Sequence, residues 1–373
     1  MKYNLADICE YVKGKVDVTI LNKDTYISTE NMIPNKGGIT SASSLPTITQ
    51  TQAFFAGDIL VSNIRPYFKK IWFAEFDGGC SNDVLVFRAK DGVNKRFLYY
   101  VLADDAFFDY AMVTSKGTKM PRGDKVAIMQ YEVPIFSYEE QKKIAGILEV
   151  IDRKIKLNME INKNLEQQAV AVFNKYYNAS KNQQPFTTLI NVLGGGTPKT
   201  GNPEFWDGSI PFFTPKDVGT PYTFKTEKYI TELGLKHCNS RLYPTNTTFV
   251  TARGTVGKIS LAGAPMAMNQ SCYALTSEIV DPLLVYFYVF KAVNALKHKA
   301  SGAVFDAIVT RDFDGEIINI LSDADSEAAL LIIKPMMEAI HNNSKENMQL
   351  STVRDTLLPK LMSGEIDVSN IDI

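Results

Sequence analysis

Several things this sequence lacks narrow what it can be. Its 373 residues include four cysteines. Cys9, Cys80, Cys238 and Cys272 are isolated from one another and form no CxxC pair, so neither a zinc site nor a disulfide framework is indicated. The three histidines, His237, His298 and His341, are equally scattered. There is no HExxH helix, no nucleophile elbow and no Gly-rich strand–turn–helix cofactor loop. The Asp/Asn-Pro-Pro-aromatic tetrapeptide with which amino-methyltransferases grip a flipped base is absent as well. No apolar run approaches the roughly 18 residues of a membrane span, and the opening MKYNLADICEYVKGK lacks the apolar stretch of a signal peptide. The expectation is a soluble, cytoplasmic, non-membrane protein with no metal, no cofactor and no catalytic constellation of its own.

A strong excess of either charge is also missing. Forty Lys and Arg against forty-one Asp and Glu give a net charge of −1, whereas a nucleic-acid binder is usually basic. The balance is uneven along the chain. Residues 1–138 hold 16 basic and 15 acidic side chains, residues 181–321 hold 13 and 11, and the rest hold 11 and 15. Each globular part is therefore near neutral, and any phosphate attraction must come from local patches and partner subunits.

What is present is a repeat with a period near 185. Lys70-Ile71-Trp72-Phe73-Ala74 follows Arg65 by five residues, as Lys258-Ile259-Ser260-Leu261-Ala262 follows Arg253, an offset of 188. Gly117 precedes Val133-Pro134-Ile135 as Gly302 precedes Ile318-Asn319-Ile320, an offset of 185. A loop deletion accounts for the slip of three.

Two long helices repeat with the same period. From Glu139 to about Tyr177 the chain has no Pro, a single Gly and a run of good helix formers. A 4–3 seam runs through Ile144, Leu148, Ile151, Ile155, Asn158, Asn162, Leu165, Ala169, Val172 and Tyr176. Adding 185 gives Ala329, Ile333, Met336, Ile340, Asn343, Asn347, Leu350, Arg354, Leu357 and Leu361. Both seams carry two central asparagines, and Arg354 is the clear departure. A buried Asn needs a partner, so Asn158 and Asn162 are expected beside Asn347 and Asn343. A parallel pairing would match them too. The direction follows from the repeat, because two like units about a pseudo-twofold axis, each handing its chain to one helix, give antiparallel helices. Helices of this length span roughly 55 Å, about sixteen base pairs.

The segments between read as mixed α/β, an α+β arrangement of short β-rich runs and later helices. Asp58–Val61, Ile71–Ala74 and Val84–Phe87 are separated by Gly, Pro, Asn and Asp turns, and Thr248–Thr251 and Ile259–Ala262 repeat the pattern. Helices are expected around Arg96–Met112 and Pro282–Lys299, and Asn178–Pro185 reads as a polar linker. Trp72 and Trp206 read as core or half-buried. Gly194–Thr200 lacks phosphate-loop spacing, and Pro198 interrupts its run of N–H donors.

Here a family resemblance becomes specific. Glu139-Glu140-Gln141-Lys142-Lys143-Ile144-Ala145, then Ile151-Asp152-Arg153-Lys154-Ile155 and Asn162-Lys163-Asn164-Leu165, resemble the central conserved region of the specificity (S) subunits of Type I restriction–modification systems. Leu357-Leu358-Pro359-Lys360-Leu361-Met362-Ser363-Gly364-Glu365-Ile366 is similar to their distal conserved region. Gly195-Gly196-Thr197-Pro198 and Phe205–Pro211 resemble the opening of a target-recognition domain, although the first half opens with Leu5-Ala6-Asp7-Ile8 instead. The resemblance implies two tandem target-recognition domains, 1–138 and 179–322. Long helices at 139–178 and 323–362 would pair as an antiparallel coiled coil, followed by a tail at 363–373. It also implies a non-catalytic subunit that reads a split site in double-stranded DNA. Its partners would be methyltransferase subunits, two of them, with restriction subunits as a further candidate, and S-adenosylmethionine would belong to those partners.

Base reading needs paired donors and acceptors, and phosphate contacts need cations, hydroxyls or free N–H groups. One candidate patch is Arg65, Lys69 and Lys70, echoed by Arg253, Thr255 and Lys258. Another is Lys116, Thr118, Lys119 and Arg122, echoed less closely by Lys297, His298 and Lys299, with Gly117 and Gly302 alongside. Asn82 and Gln270 are candidate base readers. Each of these can equally be an ordinary solvated charge or turn residue. Two rival functions stand beside the main one, a coiled-coil scaffold that meets no DNA and the recognition module of a stand-alone methyltransferase or nuclease.

Overall fold

The computed structural model describes residues 2–219, 221–299, 307–369 and 371. It divides into two compact units, Met1–Ile155 with Gln349–Ile373, and Lys156–Met348. Both are mixed α/β.

The first unit is built on a four-stranded antiparallel sheet in the order Cys9–Tyr11, Val84–Ala89, Ile59–Ser62, Ile71–Phe73. All four residues of Ile59–Ser62 are buried, because this strand is covered on both faces and reads as a continuous apolar run. The two-residue period of a strand then divides its side chains. Ile59, Val61, Leu85 and Phe87 join a core with Phe97, Leu98, Val101 and Phe107 from helices Lys95–Ala103 and Asp105–Val113. Leu60, Val84 and Val86 turn the other way, to Phe54, Trp72 and Cys80. A second sheet, Lys15–Asp17, Gln50–Phe54, Gly78–Cys80 and Tyr26–Ile27, supplies that side.

The second unit repeats the main sheet in the same order: Asn191–Gly194, Cys272–Thr276, Thr248–Thr251, Ile259–Ala262, with Tyr222–Thr223 added at the edge. Its alternation is also the same. Val250, Leu261 and Leu275 pack with helix Pro282–Lys299, while Phe249, Ala262 and Ala274 pack with Phe213 and Met268. The smaller sheets differ. Here it is Lys228–Ile230, Trp206–Phe213 and Ala267–Met268.

Each unit is closed by a short strand pair, Lys2–Asn4 with Glu132–Pro134 and Gln183–Pro185 with Ile317–Asn319. The expected polar linker is therefore largely structured: Asn178 and Ala179 end a helix, and Gln183–Pro185 pair as a strand.

The long helices run Tyr138–Ala179 and Asp323–Ser363. Ser137 and Glu140 cap the first reciprocally, the Glu140 N–H donating to Ser137 Oγ at 3.3 Å and the Ser137 N–H to Glu140 Oε2 at 2.7 Å. Ser322 caps the second, where the Asp325 N–H donates to its Oγ at 3.1 Å. Both helices contribute to both units, and within each unit they pair antiparallel. In the second, Asn158 Nδ2 donates to Asn347 Oδ1 at 2.8 Å and to Glu346 Oε2 at 2.7 Å. Asn343 Nδ2 donates to Asn162 Oδ1 at 2.9 Å, and Asn162 Nδ2 to Ser344 Oγ at 3.1 Å. In the first, Arg354, the departure from the seam, donates to Asp152 Oδ1 at 2.9 Å, and the Tyr100 hydroxyl donates to Asp152 Oδ2 at 2.8 Å. Among the described residues no helix is long and apolar enough to cross a membrane.

Three cysteines lie in the cores. Cys9, Cys80 and Cys272 are fully buried, and burial pushes each thiol up to about 12. Cys238 is only half-buried.

Candidate nucleic-acid interface

In the first unit three loops meet where strand Ile59–Ser62 ends and strand Val84–Ala89 begins. The Asn63 N–H donates to the Asp83 carbonyl at 2.8 Å, the Gly123 N–H to the Asn63 carbonyl at 3.2 Å and the Arg65 N–H to the Pro121 carbonyl at 2.8 Å. Arg65, Asn82, Lys116, Thr118, Lys119 and Arg122 are all exposed on this cluster. Lys116 and Arg122 exchange backbone hydrogen bonds of 2.9 and 3.0 Å, closing a tip that carries Thr118 and Lys119, with Gly117 at φ +91°. Arg122 reaches Asp83 at 3.2 Å and Lys116 reaches Asp124 at 2.5 Å, yet the Lys116 side chain stays 81% exposed. Such solvated pairs exchange readily for phosphate.

Lys69 and Lys70 sit differently. Lys69 pairs with Asp105 at 2.8 Å, and Lys36 reaches the same carboxylate at 2.9 Å. Lys70 Nζ donates to the Thr29 carbonyl at 2.5 Å, and partial burial lowers its pKa. Both act as posts that brace the loop. Asp105 and Lys36 had no signal in the sequence reading, because they come from remote segments.

The second unit places its loops at the same end of the same sheet. Ala252 donates to the Ser271 carbonyl at 2.8 Å, and the Ile308 N–H donates to the Ala252 carbonyl at 2.9 Å. Arg253, Thr255, Lys258 and Gln270 are exposed there. The Thr255 hydroxyl donates to the Pro215 carbonyl at 3.4 Å, and the Lys258 N–H to Thr251 Oγ1 at 3.0 Å. Gln270 Oε1 accepts from the Thr197 hydroxyl, which ties the Gly-Gly-Thr-Pro segment to this turn. The two glycines serve close approach. A Cβ on Gly195 would stand 2.2 Å from the Asn269 carbonyl oxygen, and one on Gly196 2.6 Å from the Asn239 nitrogen.

Lys297 and Lys299 end helix Pro282–Lys299. Lys297 Nζ donates to the Gly257 carbonyl at 2.6 Å, with its pKa lowered by burial and then by Lys258. Lys299 pairs at 2.5 Å with Glu316, which is buried. Lys297 braces its loop from below, as Lys69 and Lys70 do, while the Lys299 side chain stays 62% exposed. Gly302, the counterpart of Gly117, lies outside the described residues.

Backbone pairing corrects one match between the halves. Asn82 and Gln270 hold the same register, two residues before Val84 and Cys272, which pair with Ser62 and Thr251. The bridge Ile64–Arg122, however, corresponds to Arg253–Ala307. Arg253 therefore occupies the place of Ile64, and Arg65 corresponds to Gly254. The loop of the second unit is one residue shorter, and the shortening falls after this point.

Comparison with known proteins resolves what such a doubled scaffold is. The model of the Type I restriction modification DNA specificity domain matches twice, over residues 1–167 and 187–349. The chain belongs to this specificity family. The HindI specificity subunit of Haemophilus influenzae is 23% identical over 98% of this chain and 99% of its own length. The MjaIX specificity subunit of Methanocaldococcus jannaschii is 22% identical over 76% of this chain and 71% of that one. The crystal structure of the Type I S subunit from M. genitalium covers 97% of this chain and 96% of its own, at 15% identity and a TM-score of 0.59, and so shares the fold. Two specificity domains and their long helices account for nearly the whole chain.

Proposed function

We propose that this chain is the DNA-reading subunit of a Type I restriction–modification complex. Each unit contacts one half of a bipartite site in double-stranded DNA through its loop cluster. The observation that carries this reading is that the specificity-domain match occurs twice, on two units that present exposed cations and amides at the same end of the same sheet. The chain is non-catalytic in this reading. It holds methyltransferase subunits, two of them, through the paired helices, and S-adenosylmethionine is bound by those partners. Restriction subunits are a further candidate for the same assembly. Near-neutral charge fits a division of labour in which partners supply much of the phosphate attraction.

The test is to co-express the chain with its methyltransferase subunit and map methylated positions across genomic DNA. The expected result is a two-part motif with a fixed gap, one part of which changes when residues 1–138 are exchanged for those of a relative. A stable complex that methylates no motif would overturn the reading. Inserting one heptad after Asn162 and another after Asn347 should lengthen the gap. An unchanged gap would show that the helices do not set it.

A further inference from the structure

Among the described residues, six other than glycine have a positive φ, and four of them form one knot in the first unit: Asn35 (56°), Lys36 (61°), Arg65 (51°) and Lys69 (50°). The Asn35 N–H donates to the Phe68 carbonyl at 2.8 Å and the Lys36 N–H to the Lys69 carbonyl at 2.9 Å. A left-handed backbone disfavours any side chain with a Cβ, Asn least. For Lys36 and Lys69 the cost is offset, since both side chains converge on Asp105. Arg65 has no such return. Its side chain is exposed and makes no hydrogen bond, ion pair or ring contact among the described residues.

The second unit shows that the fold does not require an arginine there. Gly254 (82°) stands at the place of Arg65 and Gly257 (73°) at that of Lys69, so a turn one residue shorter holds both left-handed positions with glycine. Non-glycine strain that no internal contact offsets points to a task outside the fold. The backbone around Arg65 is fixed on both sides, by its own N–H to Pro121 and by the Phe68 N–H donating to its carbonyl at 3.0 Å. A guanidinium carried on that fixed backbone and left without an internal partner suits a planar, two-point acceptor, which in duplex DNA is the O6/N7 edge of guanine. We infer that Arg65 determines specificity in the first unit by reading a guanine, and that its left-handed backbone is retained for this purpose. The inference rests on the DNA-reading function proposed above.

The test uses the full chain assembled with its methyltransferase subunits and a duplex bearing the mapped motif, with variants Arg65→Gly and Arg65→Lys. Arg65→Gly is expected to keep or raise the thermal midpoint, because glycine relieves the backbone, while binding to the motif weakens roughly 10- to 100-fold. Binding to unrelated DNA should change little. Arg65→Lys should lose discrimination at the same position, since an ammonium cannot make the paired contact. Replacing one guanine of that half-site with 7-deazaguanine should weaken the wild type similarly and cost Arg65→Gly nothing more. A drop of several degrees in Arg65→Gly would make Arg65 a structural residue and overturn the inference. So would equal weakening on all sequences, which would place it on the phosphate backbone, or a half-site with no sensitive guanine. If the wild-type complex has no motif at all, the DNA reading itself fails, and that is visible before any variant is made.

Discussion

At one level of the helix seam the two units solve the same packing problem with opposite chemistry. In the first unit Asp152 faces Arg354 with the Tyr100 hydroxyl on the carboxylate. Shifted by the 185-residue period, those two positions become Met337 and Ala169 in the second unit, both fully buried in its apolar core. The ion pair is therefore not something this seam needs in order to pack. Desolvating both charges consumes much of what their attraction provides, so a pair of this kind contributes little beyond an apolar replacement. Its removal by halves is another matter, because a partly buried Asp152 would keep the Tyr100 hydroxyl but lose its counter-charge.

The largest effect should come from breaking that asymmetry on one side. Arg354→Ala is expected to cost the first unit about 2–3 kcal/mol, a fall of several degrees in its thermal midpoint. Giving the first unit the second unit's solution, Asp152→Met with Arg354→Ala and Tyr100→Phe, should recover most of the loss in the same calorimetric measurement. Failure to recover would mean that the seam does depend on charge.

A smaller effect sharpens the comparison of the two turns. Gly254→Arg, which imposes on the second unit the residue the first unit carries, should cost about 1 kcal/mol through backbone strain alone, since the nearest atom to a Cβ there is Pro215 Cβ at 3.8 Å. Denaturant unfolding checks this. A cost several times larger would show that the shorter turn of the second unit cannot hold a side chain at its left-handed position.

The smallest effect belongs to acid. Burial acts to raise the Asp105 carboxyl, but hydrogen bonds from Lys69 and Lys36 outweigh it and hold the pKa below the usual carboxylate range. A depressed carboxyl stabilises the fold above its unfolded value, about 3.9, and that contribution fades as pH falls through the folded value. Asp105→Asn should therefore lower stability slightly at neutral pH and remove part of the acid sensitivity of the first unit. Identical titrations of the two proteins would show that the pair adds nothing.

The helices and their partners were legible in the sequence, since a seam repeats along one chain and a buried Asn must find a polar group. The central strands were legible for a related reason: Ile59–Ser62 and Thr248–Thr251 are buried at every residue, so they show runs of β-forming side chains without charged alternation. The smaller sheets were not, because strands of two or three residues such as Tyr26–Ile27 and Ala267–Met268 are too short to show a period. At the loops, counting residues aligned Arg65 with Arg253, while backbone pairing aligns Arg65 with Gly254. Spacing cannot say where within a loop a deletion falls. Nor could it show that Lys69, Lys70, Lys297 and Lys299 have partners within the protein, because those partners, Asp105, Thr29, Gly257 and Glu316, are brought in by tertiary folding.

The unequal burial of the cysteines has a practical consequence. With three thiols buried and held protonated far above neutral pH, a maleimide or disulfide reagent should react first at the half-buried Cys238. The unmodified chain can thus carry one dye or spin label in its second unit. A signal from that label that moves when DNA is added tests whether the second unit meets the duplex as proposed.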